Sequence, residues 1–202
     1  APEIMRTVAD ARQPRGAESA IQLNANENPY GPSEKAREAM TRSQAVAARY
    51  PDAYESLMVE EIAKLHGVQS FNVVLGCGSG EILRMADMAF LTTGKNVVVA
   101  EPTFEAVLAY ARVARGEGIT VPQTADFRHY LPAMAAACNA ATALVYICNP
   151  NNPTGTIVTK DELATFIAAA PKSAVLLIDE AYHHFVEDPR YSSAFDWMGK
   201  AP

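Results

Sequence analysis

A chain of 202 residues with 49% hydrophobic and 20% charged content has room for one compact domain with a stable core, and for an additional arm. Its formal net charge of −6 argues against the broad basic face that a nucleic-acid surface requires. No apolar run approaches the roughly 18 residues of a membrane span; the longest, at 143–147 and 174–178, have strand length.

In chain order, Ala1-Pro2-Glu3-Ile4-Met5-Arg6 has neither an apolar signal core nor an initiating methionine, which leaves a leader removed before Ala1 open. Residues 1–32 carry little periodicity and end in Asn24, Asn26, Asn28, Pro29, Gly31 and Pro32, a pattern that predicts an extended arm closing in a turn-rich loop. Ser33 offers an N-cap to a helix beginning Glu34-Lys35-Ala36-Arg37. Arg49-Tyr50-Pro51-Asp52 breaks that pattern, because the residue before proline is pushed out of the helical region. A second helix is expected over 55–66, with Leu57, Ile62 and Leu65 on its apolar side and Gly67 as its stop.

Alternation then sets in. Strands are expected at 71–75, 96–100, 119–122, 143–147 and 175–178, and helices at 79–91, 104–115, 130–137 and 160–169. In the first of these helices Ile82, Leu83, Met85, Ala86 and Phe90 are expected to face inward, and Thr159 opens the last. Continuously apolar, β-branched strands alternating with helices predict an α/β fold: a mainly parallel open sheet flanked by helices on both faces. The three cysteines (Cys77, Cys138, Cys148) are odd in number and irregularly spaced, which suits thiols in a reducing compartment such as the cytoplasm. No Cys-x-x-Cys or His-x-x-x-His spacing suggests a metal.

Two segments carry the functional signal. Asn149-Pro150-Asn151-Asn152-Pro153-Thr154-Gly155 follows one strand, and Asp179-Glu180-Ala181-Tyr182 follows the next. Open α/β sheets present ligand-binding groups just beyond the carboxyl ends of their strands. Asn152, Asp179 and Tyr182 are therefore expected to converge on one crevice with an amide, a carboxylate and a phenol. Upstream, Gly76-Cys77-Gly78-Ser79-Gly80-Glu81 opens a helix whose first-turn N–H groups form an anion site, with Ser79 and Gly80 on a phosphate. A competing reading takes Val74-Leu75-Gly76-Cys77-Gly78 with Glu101 as the S-adenosylmethionine site of a methyltransferase. It leaves the segments at 149–155 and 179–182 without a role.

The pair at 149–155 and 179–182 resembles the NPTG and DEAY signatures of fold-type I, pyridoxal-phosphate-dependent aminotransferases of class I/II. Within that group the chain is most similar to histidinol-phosphate aminotransferases, and the resemblance runs from about Leu23 to Phe185. It implies that residues 33–202 are part of the large pyridoxal-phosphate domain of an aspartate-aminotransferase-like fold, and that 1–32 are an arm carrying a substrate loop. It further implies that Gly78, Ser79 and Gly80 hold the cofactor phosphate and that Phe104 lies against its ring. Asn152 and Tyr182 then donate to its phenolic oxygen, and Asp179 pairs with its protonated ring nitrogen. Leu23–Ser33 resembles the family's N-terminal signature, which places Asn28 and Tyr30 over the substrate. Arg49-Tyr50-Pro51-Asp52 resembles the element whose tyrosine reaches the other subunit's cofactor phosphate, so Tyr50 implies a homodimer. The Asn152–Pro153 bond is expected to be cis by the same resemblance. Glu18, His129 and the His183-His184 pair read as surface or supporting groups.

The chain also departs from the family pattern. The family carries its cofactor-bonding lysine in a Ser-x-Ser-Lys element further downstream, and Lys160, Lys172 and Lys200 lack that context. The expectation is an N-terminal fragment, inactive alone. Its parent would transfer the amino group of histidinol phosphate to 2-oxoglutarate by a ping-pong mechanism. Aromatic aminotransferase activity, and less readily phosphothreonine decarboxylation, are the alternatives within the fold.

Overall fold

The computed structural model describes residue 23 and residues 25–198. The chain divides into two compact units, 1–52 and 53–202. Most of the expected arm lies outside the described residues.

In the first unit, Asn28 closes a turn over Pro29 and Tyr30: its side-chain oxygen accepts from Tyr30 N–H at 3.0 Å, and Gly31 takes a left-handed φ of 67°. Helix α1 (Glu34–Ser43) starts where expected, with the Ser33 hydroxyl accepting from Ala36 N–H at 3.3 Å.

The second unit holds the sheet. Helix α2 (Asp52–His66) ends at Gly67, whose φ of 67° a side chain would resist. Helix α3 (Ser79–Phe90) leads to β1 (Asn96–Glu101), α4 (Ala106–Val113) and β2 (Glu117–Pro122). Then come α5 (Leu131–Ala137), β3 (Thr142–Cys148), α6 (Lys160–Ala169) and β4 (Val175–Asp179). The four strands are parallel in the order β2-β1-β3-β4. Each crossover is helical, as parallel neighbours demand.

Alternate residues of β1 and β3 feed two apolar layers, because successive side chains of a strand leave by opposite faces. Val98, Ala100, Val145 and Ile147 pack with Leu131, Met134, Leu163 and Phe166 of α5 and α6. Val97, Val99, Leu144 and Tyr146 pack with Leu83, Val107 and Ala111 of α3 and α4. Central strands buried on both faces explain the unbroken apolar runs of the sequence.

Three expectations fail. Residues 71–75 are not a strand of the sheet. Ser70–Asn72 forms a 3₁₀ turn closed by Asn72, whose side-chain oxygen accepts from Gln69 N–H at 3.1 Å, and Val73 follows outside any ladder. A local side-chain bond has outcompeted pairing there. In α3 the buried stripe is Leu83 and Asp87, four residues apart, whereas Met85 and Phe90 are exposed. On α2, Leu57 and Leu65 are likewise exposed, and Ala63 is the buried residue.

Candidate active site

The parallel strands all end on one edge, and the candidate residues gather there. β1 runs into Glu101-Pro102-Thr103-Phe104, β3 into Asn149–Gly155 and β4 into Asp179. In the β3–β4 register Cys148 faces Asp179, and Asn149 N–H donates to Asp179 C=O at 2.8 Å. Helix α3 joins the same edge from the other direction. Its C-terminal end lies only a short loop before the start of β1, and Leu91 beyond it touches Gly116 past the end of α4. The starts of both helices, Ser79 and Ala106, therefore lie at the carboxyl edge.

Asp179 is the most constrained group. It is only 8% exposed, yet both carboxylate oxygens have donors: Tyr146 O–H at 3.0 Å and Ala181 N–H at 3.1 Å. Tyr146 is completely buried. Burial pushes its phenol well above the ordinary range, and the charges of Cys148 and Asp179 push the same way. Tyr146 thus stays protonated and donates. Two donors on one buried carboxylate hold its orientation.

The β3 turn is tied to the β1 turn through Asn151. Its Nδ2 donates to Pro102 C=O at 3.2 Å and to Thr154 Oγ1 at 2.8 Å, while its Oδ1 accepts from Thr103 Oγ1 at 2.6 Å. These bonds join the two turns at Thr103 and Asn151, the immediate neighbours of Phe104 and Asn152. Both are half-buried, and Phe104 packs on the α3–α4 layer. The Glu101–Pro102, Asn149–Pro150 and Asn152–Pro153 bonds are cis, the last as expected.

At the head of α3, Gly78 takes a φ of 80° and Cys77 N–H is capped by the Glu81 carboxylate at 2.7 Å. Ser79 and Gly80 stand in the first turn, where backbone N–H groups lack intrahelical acceptors. Tyr182 is half-buried beside Phe185, with ring centres 6.4 Å apart. Asn28, Tyr30 and Tyr50 belong to the first unit, where all three are exposed, Tyr50 by 91%. The carboxyl edge therefore carries a buried carboxylate beside a polar turn, and the second unit also supplies a glycine-led helix head and a half-buried aromatic.

Some working residues were not visible in the sequence. His129, read as a surface or supporting group, is only 7% exposed, with Nε2 3.0 Å from Asn151 Oδ1. Glu180 accepts from Tyr191 O–H, Ser193 O–H and Ala194 N–H, which fastens the segment after β4. Nothing local in the sequence marks either contact, since their partners lie 11–22 positions away. A groove of about 590 Å³ between α5 and α6 contains none of the residues singled out for the cofactor.

A parallel α/β sheet carrying this edge defines the large-domain fold of the aminotransferases. The chain belongs to the family "Aminotransferase class I and II", whose model matches residues 18–201. That membership removes the methyltransferase reading. The histidinol-phosphate aminotransferase of Brevibacillus brevis is 38% identical over 197 residues, covering 98% of this chain and 54% of that protein. A structure from Erwinia carotovora atroseptica, provisionally assigned as a histidinol-phosphate aminotransferase, superposes with a TM-score of 0.83 at 33% identity. It covers 90% of this chain and 53% of that one. The histidinol-phosphate aminotransferase of Sinorhizobium meliloti, solved with pyridoxal-5'-phosphate, gives 0.77 at 25% identity, covering 83% and 45%. The chain spans about half the length of the curated relatives it matches. Among the described residues no helix is long and apolar enough to cross a membrane.

Proposed function

We propose that the intact protein carrying this chain is a pyridoxal-phosphate-dependent aminotransferase that moves an amino group from histidinol phosphate to 2-oxoglutarate. The observation that carries the proposal is Asp179: a buried carboxylate at a strand's end with two donors fixing it, beside the Asn149–Gly155 turn.

The residues present fit the cofactor. The Ser79 and Gly80 N–H groups and the Ser79 hydroxyl would take its phosphate, with Gly78 turning the chain so that the helix head is open. Phe104 would lie against its ring, Asn152 and Tyr182 would donate to its phenolic oxygen, and Asp179 would hold the ring nitrogen's proton. When bound, pyridoxal phosphate supplies an electron sink for the carbanion left by loss of a substrate α-proton. Asp179 would keep that sink strong by keeping the nitrogen protonated. Tyr146 would keep Asp179 pointed, and Asn151 would hold the two turns in register.

Asn28 and Tyr30 would contact substrate, and Tyr50 would reach the partner subunit's phosphate in a homodimer. The exposed apolar side chains Leu57, Met58 and Leu65 on α2 and Met88 on α3 support a buried interface in the assembled protein. The three free cysteines support a cytoplasmic setting. The lysine that bonds the cofactor lies outside the motifs present, so this chain alone is expected not to turn over.

The test uses the intact protein. With pyridoxal phosphate it should develop a visible absorbance band that borohydride fixes as a stable lysine adduct. In a panel of amino donors with 2-oxoglutarate, histidinol phosphate should give the highest kcat/KM. A preference for aromatic amino acids would replace the substrate assignment, and the absence of any lysine adduct would overturn the reaction class.

A further inference from the structure

Two turns must stand at a set separation if one is to face a flat ring and the other its edge. Phe104 and Asn152 sit on these turns, and neither belongs to a strand or helix. The Asn152 turn is instead bonded to the loop that joins β2 to α5. That loop is closed on itself, with Thr124 N–H donating to Arg128 C=O and Arg128 N–H donating to Thr124 Oγ1, both at 3.0 Å. It grips the β3–α6 connection three times. Thr156 O–H donates to Phe127 C=O at 2.7 Å, the Arg128 guanidinium donates to Ile157 C=O at 3.1–3.2 Å, and His129 meets Asn151 at 3.0 Å.

The last contact has a determined proton. Asn151 Nδ2 points at Pro102 C=O, which can only accept, so the amide cannot be turned over without setting two acceptors against each other. Asn151 Oδ1 therefore faces His129, and Nε2 must carry the hydrogen. His129 Nδ1 is buried without a hydrogen-bond partner among the described residues. A bare lone pair is tolerable there; a second, charged N–H with no acceptor would cost far more. Burial lowers the affinity of this ring for a second proton, against the opposing pull of Asn151.

We propose that His129 is a positioning residue: as its neutral Nε2–H form it pins the Asn151 amide, and thereby sets the gap between the Phe104 turn and the Asn152 turn that receives the cofactor ring. The purpose rests on the aminotransferase reading; the pinning does not. Asn151 Oδ1 accepts from both His129 and Thr103, so the two donors share one job.

Three measurements test it, with His129→Leu removing the donor, His129→Gln keeping one, and Thr103→Val removing the second donor should the leucine variant fail to fold. In the ¹⁵N-histidine-labelled chain, long-range ¹H–¹⁵N spectra at neutral pH should show Nε2 protonated and Nδ1 bare; the opposite tautomer or a cation overturns the proposal. Hydrogen exchange at the Asn151 and Gly155 amides should rise on the order of tenfold in His129→Leu or Thr103→Val and stay near wild type in His129→Gln. Equal exchange in all variants overturns it. In the intact protein, pyridoxal-phosphate affinity should fall about tenfold for His129→Leu and be largely kept by His129→Gln. An intact wild type that takes up no cofactor sinks the aminotransferase reading and leaves the first two measurements to decide the pinning. A wild type that binds, with His129→Leu binding equally well, sinks the positioning role alone.

Discussion

Tyr146 and Asp87 are both buried in the layer between the sheet and α3–α4, and they behave oppositely. Tyr146 spends its one donor on Asp179, so Tyr146→Phe leaves a buried carboxylate short of a partner. Hydrogen bonds to charged groups are worth about 1.5–3 kcal/mol, so urea unfolding should show a loss of that order. The same variant of the intact protein should bind pyridoxal phosphate roughly tenfold more weakly, with Asp179 held by Ala181 N–H alone. A stability change without a change in cofactor affinity would reduce Tyr146 to a packing residue. Asp87 has no exposure, and neither carboxylate oxygen has a hydrogen-bond partner among the described residues. Burial raises its pKa from 3.8 to about 7. Between those values the folded chain keeps a proton that the unfolded chain releases, so stability is full below about pH 4, falls as pH rises towards about 7, and is level above it. The loss between pH 5 and pH 8 should be about 2–3 kcal/mol, and Asp87→Asn should abolish it in urea titrations at those two pH values. Equal pH slopes in the two proteins would contradict this.

Elements differ in how far their neighbours in sequence decide them. Helix α6 is capped locally: Thr159 accepts from Glu162 N–H, and Glu162 returns a bond to Thr159 N–H at 2.8 Å. Thr159→Ala should cost about 1 kcal/mol by thermal or urea unfolding; no loss would mean that packing alone sets the helix start. Such caps, together with the unbroken apolar runs of β1 and β3, made most of the sheet and its helices legible, along with the strand-end position of Asp179. Residues 71–75 misled because an apolar, β-branched stretch looks like a strand whatever its neighbours, whereas Asn72 closes a turn there. The inward face of α3 misled because period alone could not distinguish the stripe through Leu83 and Asp87 from its neighbour, and hydrophobicity argued against an aspartate. His129 was illegible for a third reason: its role depends on Asn151, 22 positions away.

At the scale of the whole molecule, the crevice is an edge assembled from strand ends. Three turns lie at that edge because the sheet is parallel, so the carboxylate, amide and aromatic come from separate crossovers. The bonding between those turns runs through Asn151 and Tyr146, which are both buried. Of the first-unit residues, Tyr50 has its proposed role only in the proposed dimer. The most direct measurement is the ¹⁵N shift of the ring nitrogen in intact protein loaded with ¹⁵N-labelled pyridoxal phosphate. The account predicts a protonated nitrogen in the wild type and an unprotonated one in Asp179→Ala. An unprotonated nitrogen in the wild type, or a shift that Asp179→Ala leaves unchanged, would contradict it.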